Sequence, residues 1–137
     1  MRFAAVLCLV ALAVAGCAAT PKDSSKDFKG DERAVAAVVE NLESAARKDD
    51  AGKICTRLLT PSLLAALQRA GSNCKTAIRE ALKDTDSFDL QVDDVTIRGT
   101  KASVKVTSGS GSKKKTDTLE LERIGNAWRI VSLGSGS

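Results

Sequence analysis

The sequence predicts an α+β domain in which about four helices are followed by a four-stranded antiparallel sheet. Three observations lead to this prediction. Apolar residues recur at helical spacing between residues 31 and 83, they alternate with polar residues from residue 88 onward, and Gly-containing turns separate the alternating segments. With 137 residues, the chain has room for one ordinary domain. We therefore expect the helices to pack on one face of a single sheet.

The N-terminal segment is predicted to be a targeting signal rather than part of the fold. After Arg2, apolar residues run without interruption from residue 3 to residue 15. As a helix at ~1.5 Å per residue, this run is about 20 Å long, which is short of the ~30 Å hydrocarbon core of a bilayer. Residues 1–16 therefore predict a cleaved secretory signal peptide.

The signal ends in Val14, Ala15, Gly16 and Cys17, which resemble the lipobox of bacterial lipoproteins. The resemblance implies cleavage after Gly16, lipidation of Cys17 and anchoring by acyl chains at the extracytoplasmic face of the cell membrane. The alternative is a plain signal peptide that ends in an incidental cysteine. The composition then predicts a lipidated tether over residues 17–30, the domain over 31–133 and a flexible tail over 134–137.

The first two helices are predicted from apolar spacing. Residues 31–48 carry apolar side chains at i, i+3, i+4 and i+7, and Asp31 is the expected N-cap. A break at Asp49 and Asp50 is followed by a short second helix over residues 53–59. One face of this second helix is apolar: Ile54, Cys55, Leu58 and Leu59.

A third helix is predicted to begin at Thr60 and Pro61, with Thr60 as the N-cap and Pro61 at the first helical position. Gly71 is expected to end this helix in the left-handed conformation. A fourth helix is expected to begin near Ser72 or Asn73. The buried stripe expected for the third helix is Leu63, Leu64 and Leu67.

The alternating segments predict four strands, of which the first contains an irregularity. Its apolar phase slips by one residue after Asp94, which predicts a β-bulge at Asp93 and Asp94. The second strand is expected over residues 102–106, and a flexible basic hairpin tip over 108–115 leads to the third. The last strand contains Trp128.

Four cysteines are present, and we expect them to have different roles. Cys8 leaves with the signal peptide and Cys17 carries the lipid. Cys55 and Cys74 remain as one pair in an oxidising compartment, which predicts a disulfide that would contribute roughly 3 kcal/mol by loop closure. Two free buried thiols are the alternative.

Two motifs resemble the NTF2-like superfamily. One is the final hairpin, G-x-x-W-R-I over residues 125–130, and the other is I-C-x-x-L-L-T-P over residues 54–61, followed by a second cysteine. The second motif is similar to exported, lipid-anchored members from actinobacteria. The resemblance implies a sheet curled around the helices into a cone with an open end. Such a pocket serves catalysis in some members, and binding or dimerisation in others.

Composition limits the chemistry that such a pocket could carry out. The chain contains no His and no Tyr, which excludes Ser/His/Asp and Cys/His triads and every His-containing metal site. The weak candidates for a carboxylate site are Asp93 and Asp94, whose alternative role is a solvated kink between two strand segments. No metal and no cofactor are expected.

A basic run, Lys113, Lys114 and Lys115, lies in the predicted hairpin tip. It could contact anionic lipid headgroups or an acidic wall polymer, or it could serve only as a solubilising tip. Nucleic acid is not an expected partner, because removing Arg2 with the signal reduces the net charge from +4 to only +3 and few aromatic residues are available for stacking.

The leading hypothesis is a lipid-anchored envelope protein whose domain binds a partner protein or a small apolar ligand without catalysis. One alternative is an isomerase- or dehydratase-like enzyme that uses carboxylates in the cone. Another is a structural envelope component that acts as a homodimer.

Overall fold

The computed structural model describes residues 24–83, 88–109 and 111–133. The predicted signal peptide, Cys17 and the C-terminal tail lie outside these residues. The helices are Gly30–Arg47 (α1), Ala51–Lys53 (α2), Pro61–Arg69 (α3) and Cys74–Lys83 (α4). The strands are Leu90–Arg98 (β1), Lys101–Ser108 (β2), Lys115–Ile124 (β3) and Ala127–Ser132 (β4). The predicted fold class, four helices followed by a four-stranded antiparallel sheet, is confirmed.

The strands form an antiparallel meander in the order β1-β2-β3-β4. Gly99 and Gly125 open the two tight turns with φ values of 61° each, a conformation that favours glycine. In β1, Val92 pairs with Val106 while Asp94 pairs with Lys105, so that Asp93 is the extra residue. The predicted bulge is therefore confirmed.

The core lies between α1 and the inner face of the sheet. Helix α1 contacts β1, β2 and β4, and its residues Val35 and Val39 are fully buried there. Alternate residues of each strand point into this core, because successive side chains of a β-strand lie on opposite faces of the sheet. The largest fully buried apolar side chains are Val35, Val39, Ile54, Leu59, Val104, Leu121 and Ile130.

The short second helix predicted over residues 53–59 is present, but most of it is π-helical. Helix α2 ends at Lys53 and continues into a π-helical turn, Ile54–Leu58. The N–H of Leu59 donates to the Ile54 carbonyl at 3.2 Å, a bond spanning five residues. Leu59 is extended and lies beside Ile130 of β4, and the Thr60 N–H donates to the Ile130 carbonyl at 2.9 Å. The segment ends in this wider turn because its last residues join the sheet edge.

The predicted start of α3 is confirmed, because the Thr60 Oγ1 accepts a hydrogen bond from the Leu63 N–H at 3.2 Å and Pro61 is the first helical residue. Gly71 follows α3 with a φ of 76°, as expected. The burial of α3 was overestimated, because the helix packs mainly against α4 and β4 at the outside of the molecule. The stripe expected to be buried is only half-buried: Leu63, Leu64 and Leu67.

The ordered domain begins before residue 31, so the predicted tether over 17–30 extends too far. Residues Ser24–Asp27 form a 3-10 turn in which Ser24 and Ser25 are buried, and Phe28 packs against the core. The expected N-cap is also wrong. Helix α1 begins at Gly30, and the carboxylate of Asp31 lies in its first turn, 2.6 Å from the Arg123 guanidinium.

Both edges of the sheet are partly covered. On β1, the Val92 N–H donates to the Ser24 Oγ at 3.4 Å. On β4, the Ile130 carbonyl accepts a hydrogen bond from the Thr60 N–H at 2.9 Å. These contacts occupy backbone groups that an uncovered edge strand would offer to another chain.

Candidate functional site

The inner face of the sheet is filled by side chains at its centre. Val39, Val104, Leu121 and Ile130 are at most 1% exposed and belong to one apolar cluster with Ile54. Protein interiors of this kind are close-packed, and they leave no space for a ligand between such residues. A binding site among the described residues must therefore lie toward an end of the domain.

The two candidate carboxylates lie on the surface of β1. Both Asp93 and Asp94 are exposed. The Thr107 Oγ1 donates to Asp93 at 2.6 Å, and the Thr96 Oγ1 lies 3.5 Å from the Asp94 carboxylate. The structure thus places these two residues beside threonines at the bulge, and neither lines the cavity described next.

An open cavity of about 280 Å³ lies between the C-terminal ends of α1 and α4 and the residues that precede β1. It combines an apolar surface from Ala46, Leu82 and Phe88 with polar side chains. The polar lining residues are Arg47, Asp49, Arg79 and Lys83. Its volume is near the lower end of the range for small-molecule sites, so that only a small ligand fits.

The cationic side chains around this cavity differ in whether they form ion pairs within the protein. Arg47 forms ion pairs within the protein: its Nη2 is 2.6 Å from a Glu43 oxygen and also pairs with Asp89. Arg79 and Lys83 make no ion pair with any residue that the structure describes. Their N–H groups are therefore available as hydrogen-bond donors at the cavity.

Asp49 is the acidic lining residue, and its backbone is unusual. Its φ of 52° makes it the non-glycine residue of the described chain in the left-handed region. The Asp49 N–H donates to the Ala46 carbonyl at 3.0 Å, and the Asp50 N–H donates to Ala45 at 2.9 Å, which ends α1 in a tight turn. This turn brings the Asp49 carboxylate to the cavity.

Glu43 lies behind the Arg47 side of the cavity and is 7% exposed. Burial raises the pKa of this carboxyl above its ordinary value of 4.5, and the negative charge of Asp89 acts in the same direction. The Arg47 charge and the hydrogen bond from the Leu90 backbone oppose this increase in pKa. Glu43 is thus a buried carboxyl held by one cation and one backbone donor.

A disulfide between Cys55 and Cys74 fixes the start of α4, and its Cα atoms are 6.1 Å apart. This predicted bridge is confirmed. It fastens α4 to the π-helical turn, whose Ile54 lies in the core. Because α4 supplies Arg79, Leu82 and Lys83, the bridge helps to position one wall of the cavity.

The sequence pattern did not indicate the cavity. Its lining residues come from three separate segments, which only the tertiary structure brings together. One signal was available: Glu43 follows Val39 by four residues and precedes Ala46 by three, so that it stands on the apolar face of α1. A carboxyl on a buried helix face indicates a functional or strongly paired residue.

The basic run lies in the turn between β2 and β3. Lys113, Lys114 and Lys115 are all exposed. The Lys115 Nζ is 3.5 Å from the Asp117 carboxylate, while the ammonium groups of Lys113 and Lys114 make no ion pair with described residues. The run is distant in sequence from every residue of the cavity lining.

Within residues 24–83, 88–109 and 111–133, no group of three or more Cys, Asp or Glu side chains is arranged to hold a metal ion. None of the helices found in those ranges is long and apolar enough to cross a membrane.

Comparisons with known proteins show a family model and a solved structure to which this chain is similar. Residues 68–133 match the model of a family described as "Putative lumazine-binding". The fold is similar to that of a solved structure, "De novo designed NTF2 fold protein NT-9", with 19% sequence identity and a TM-score of 0.48. That alignment covers 77% of this chain and 85% of the designed protein. No curated protein matches the chain.

Proposed function

We propose that this protein is an exported, lipid-anchored binding domain that holds a small ligand in the cavity between α1, α4 and Phe88 without transforming it. One observation carries the proposal: the cavity combines an apolar surface with two cationic side chains, Arg79 and Lys83, that have no ion-pair partner among the described residues. This combination suits a small planar molecule whose ring face packs on apolar side chains and whose edge has carbonyl or anionic oxygens.

The description of the matched family supports this ligand class. It names lumazine, a planar bicyclic heterocycle whose carbonyl oxygens accept hydrogen bonds. Phe88 and Leu82 offer surfaces on which a planar ring packs, and Arg79 and Lys83 offer donors at its edge. The match over residues 68–133 includes four of the seven lining residues, Arg79, Leu82, Lys83 and Phe88.

The absence of catalysis is part of the proposal. The polar lining residues are three cations and the exposed Asp49, and the chain has neither His nor Tyr to serve as a general acid or base. Glu43 is not among the lining residues, and its carboxylate is engaged by Arg47. We therefore expect the ligand to be released unchanged.

Ligand binding is tested with lumazine itself as the probe, by calorimetric titration of the folded protein. We expect Arg79→Gln to weaken binding about tenfold, because one hydrogen bond from a charged donor is lost. Arg69→Gln, which removes an exposed cation at the end of α3, is the matched control and is expected to bind normally.

Two results would contradict the binding proposal. One is the absence of saturable lumazine binding, and the other is equal binding by the Arg79 and Arg69 variants. Mass spectrometry of the recovered lumazine tests the second part of the proposal, since any product that accumulates with time would demonstrate turnover.

The anchoring part of the proposal is supported by the lipobox-like residues 14–17 and by the Cys55–Cys74 bridge, which suits an oxidising compartment. We expect Cys17→Ser to move the protein from the membrane fraction to the soluble fraction of the producing cell. Cys8→Ser, a cysteine change within the apolar run, should leave it at the membrane. Retention of the Cys17 variant in membranes would refute lipid anchoring.

A further inference from the structure

The turn between β2 and β3 carries a concentrated positive charge. Within the described residues from Gly109 to Thr116 there are three lysines and no acidic side chain. Lys113 and Lys114 make no ion pair in the described structure, and the nearest acid, Asp117, pairs with Lys115. At least two ammonium groups are therefore available to an external anion.

The described backbone on either side of residue 110 is held by close contacts. A 3-10 turn spans Gly111–Lys113. Gly109 has a φ of 77°, and a Cβ placed on it would lie 2.6 Å from the Lys113 carbonyl oxygen. Only glycine permits this close approach, which folds the backbone of Lys113 against the end of β2.

The N-terminal segment joins the domain toward the same end of the sheet. Ser24 contacts Val92 of β1, and Val92 pairs with Val106 of β2. Two residues farther along β2 the strand ends at Ser108, and the basic turn follows. At ~3.3 Å per residue, Ser24 lies about 7 Å from this end of the sheet, against about 20 Å from the opposite end at Arg98.

The chain between the predicted lipid and the domain is short. Residues 18–23 separate Cys17 from Ser24, so that Ser24 lies at most about 25 Å from Cys17 even when the segment is fully extended. In an anchored protein, the basic turn therefore lies within easier reach of the membrane than the opposite end of the sheet does.

We propose that the basic turn, Lys113 to Lys115, docks on anionic phospholipid headgroups of the membrane that anchors the protein. The inference rests on the lipid anchoring proposed above. Each lysine near an anionic surface strengthens association about fivefold. Lipid anchoring makes that weak association intramolecular, so three lysines orient a domain that they would not recruit alone.

Docking would give the anchored domain one preferred orientation. The turns at Gly99 and Gly125 lie at the opposite end of the sheet, where the Arg123 N–H donates to the Thr100 carbonyl at 2.7 Å, and they would face away from the bilayer. The orientation would weaken in high salt, because headgroup and lysine charges are screened over about a Debye length.

The test uses the mature lipidated protein, which begins at Cys17, in vesicles that contain phosphatidylglycerol and a headgroup-attached fluorescence quencher. A fluorophore is placed at Ser112→Cys in the basic turn or, as the matched control, at Asn126→Cys in the turn between β3 and β4. The native cysteines do not compete for labelling, because Cys55 and Cys74 are paired and Cys17 is acylated in the anchored form.

We expect stronger quenching at position 112 than at position 126. The difference should be lost when the three lysines are changed to glutamine, when phosphatidylglycerol is replaced by phosphatidylcholine, and in high salt. The glutamine variant changes exposed side chains only, and an unchanged thermal midpoint confirms that it is folded.

Equal quenching at the two positions in a protein that floats with the vesicles would overturn the docking proposal alone. A protein that fails to float with the vesicles would refute the lipid anchor and, with it, the docking. Loss of binding to a soluble acidic polymer in the glutamine variant, without any change in quenching, would assign the lysines to that polymer and likewise overturn the proposal.

Discussion

Glu43 shows how a single residue links the core to the cavity. It stands on the buried face of α1, where an apolar residue would be expected, and it is 7% exposed. Its carboxylate holds Arg47, which lines the cavity, and accepts a hydrogen bond from the Leu90 backbone at the start of β1. One side chain thus connects α1, β1 and the cavity wall.

The raised pKa of Glu43 predicts a pH dependence of stability. Burial is the main cause that raises the pKa of Glu43 above 4.5 in the folded state. The folded state therefore binds this proton more tightly than the unfolded state does. The free energy of unfolding therefore falls as the pH rises from 4.5 through the folded-state pKa. Glu43→Gln should remove this part of the slope, because glutamine has no proton to lose.

Urea unfolding at a series of pH values measures this slope. Glu80→Gln, at an exposed carboxylate of α4, controls for a general change in net charge. If the Glu43 variant keeps the slope of the parent protein, burial of Glu43 is not its source.

Predictions about single residues were confirmed where neighbouring residues in the sequence determine the conformation. The bulge at Asp93 follows from a slip in alternation that is visible in the strand itself, and the Thr60 cap follows from its place before Pro61. Asp31 was assigned as a cap by the same local rule, but Arg123, which is distant in sequence, binds its carboxylate instead. The choice between these partners depends on tertiary structure.

At the scale of elements, periodicity predicted the helices and strands but not their exact form or burial. An α-helical and a π-helical turn bury the same residues of the segment 53–59, so that apolar spacing does not distinguish them. Similarly, the stripe on α3 indicates amphipathicity without showing how much of the stripe the neighbouring elements cover. These features depend on contacts with β4 and α4.

Helix α4 buries few side chains and is held to the domain by a disulfide bond. Ile78 is its buried residue, and the helix packs mainly against α2, the π-helical turn and α3. The Cys55–Cys74 bridge closes a 19-residue separation, worth roughly 3 kcal/mol in loop-closure entropy. The sequence predicted this pairing because only two cysteines remain in the domain, but the cavity to which α4 contributes depends on tertiary structure that brings its end near the end of α1.

At the scale of the whole molecule, the boundary between anchor and domain differs from the sequence prediction. Composition marked residues 17–30 as a tether, yet the Ser25 N–H donates to the Glu40 carboxylate at 2.7 Å and Phe28 packs on the core. Composition alone gives no sign of such contacts. They shorten the link to Cys17, on which the proposed membrane orientation depends.

The contribution of this segment can be measured by comparing a chain of residues 22–133 with one of residues 31–133. We expect the shorter chain to have a free energy of unfolding lower by roughly 2–4 kcal/mol, because it loses the burial of Phe28 and the hydrogen bond to Glu40. Phe28→Ala in the longer chain should lose only the burial part. Equal stabilities of the two chains would show that the domain begins at residue 31 after all.

The same pair of chains bears on self-association. Removing Ser24 uncovers the β1 edge at Val92, and an uncovered edge strand is a template for pairing with another chain. Light scattering after size-exclusion chromatography should therefore show that the shorter chain self-associates at concentrations where the longer chain is a monomer. A stable dimer of the longer chain would instead favour the homodimer alternative, since its interface would form with the β1 edge already covered.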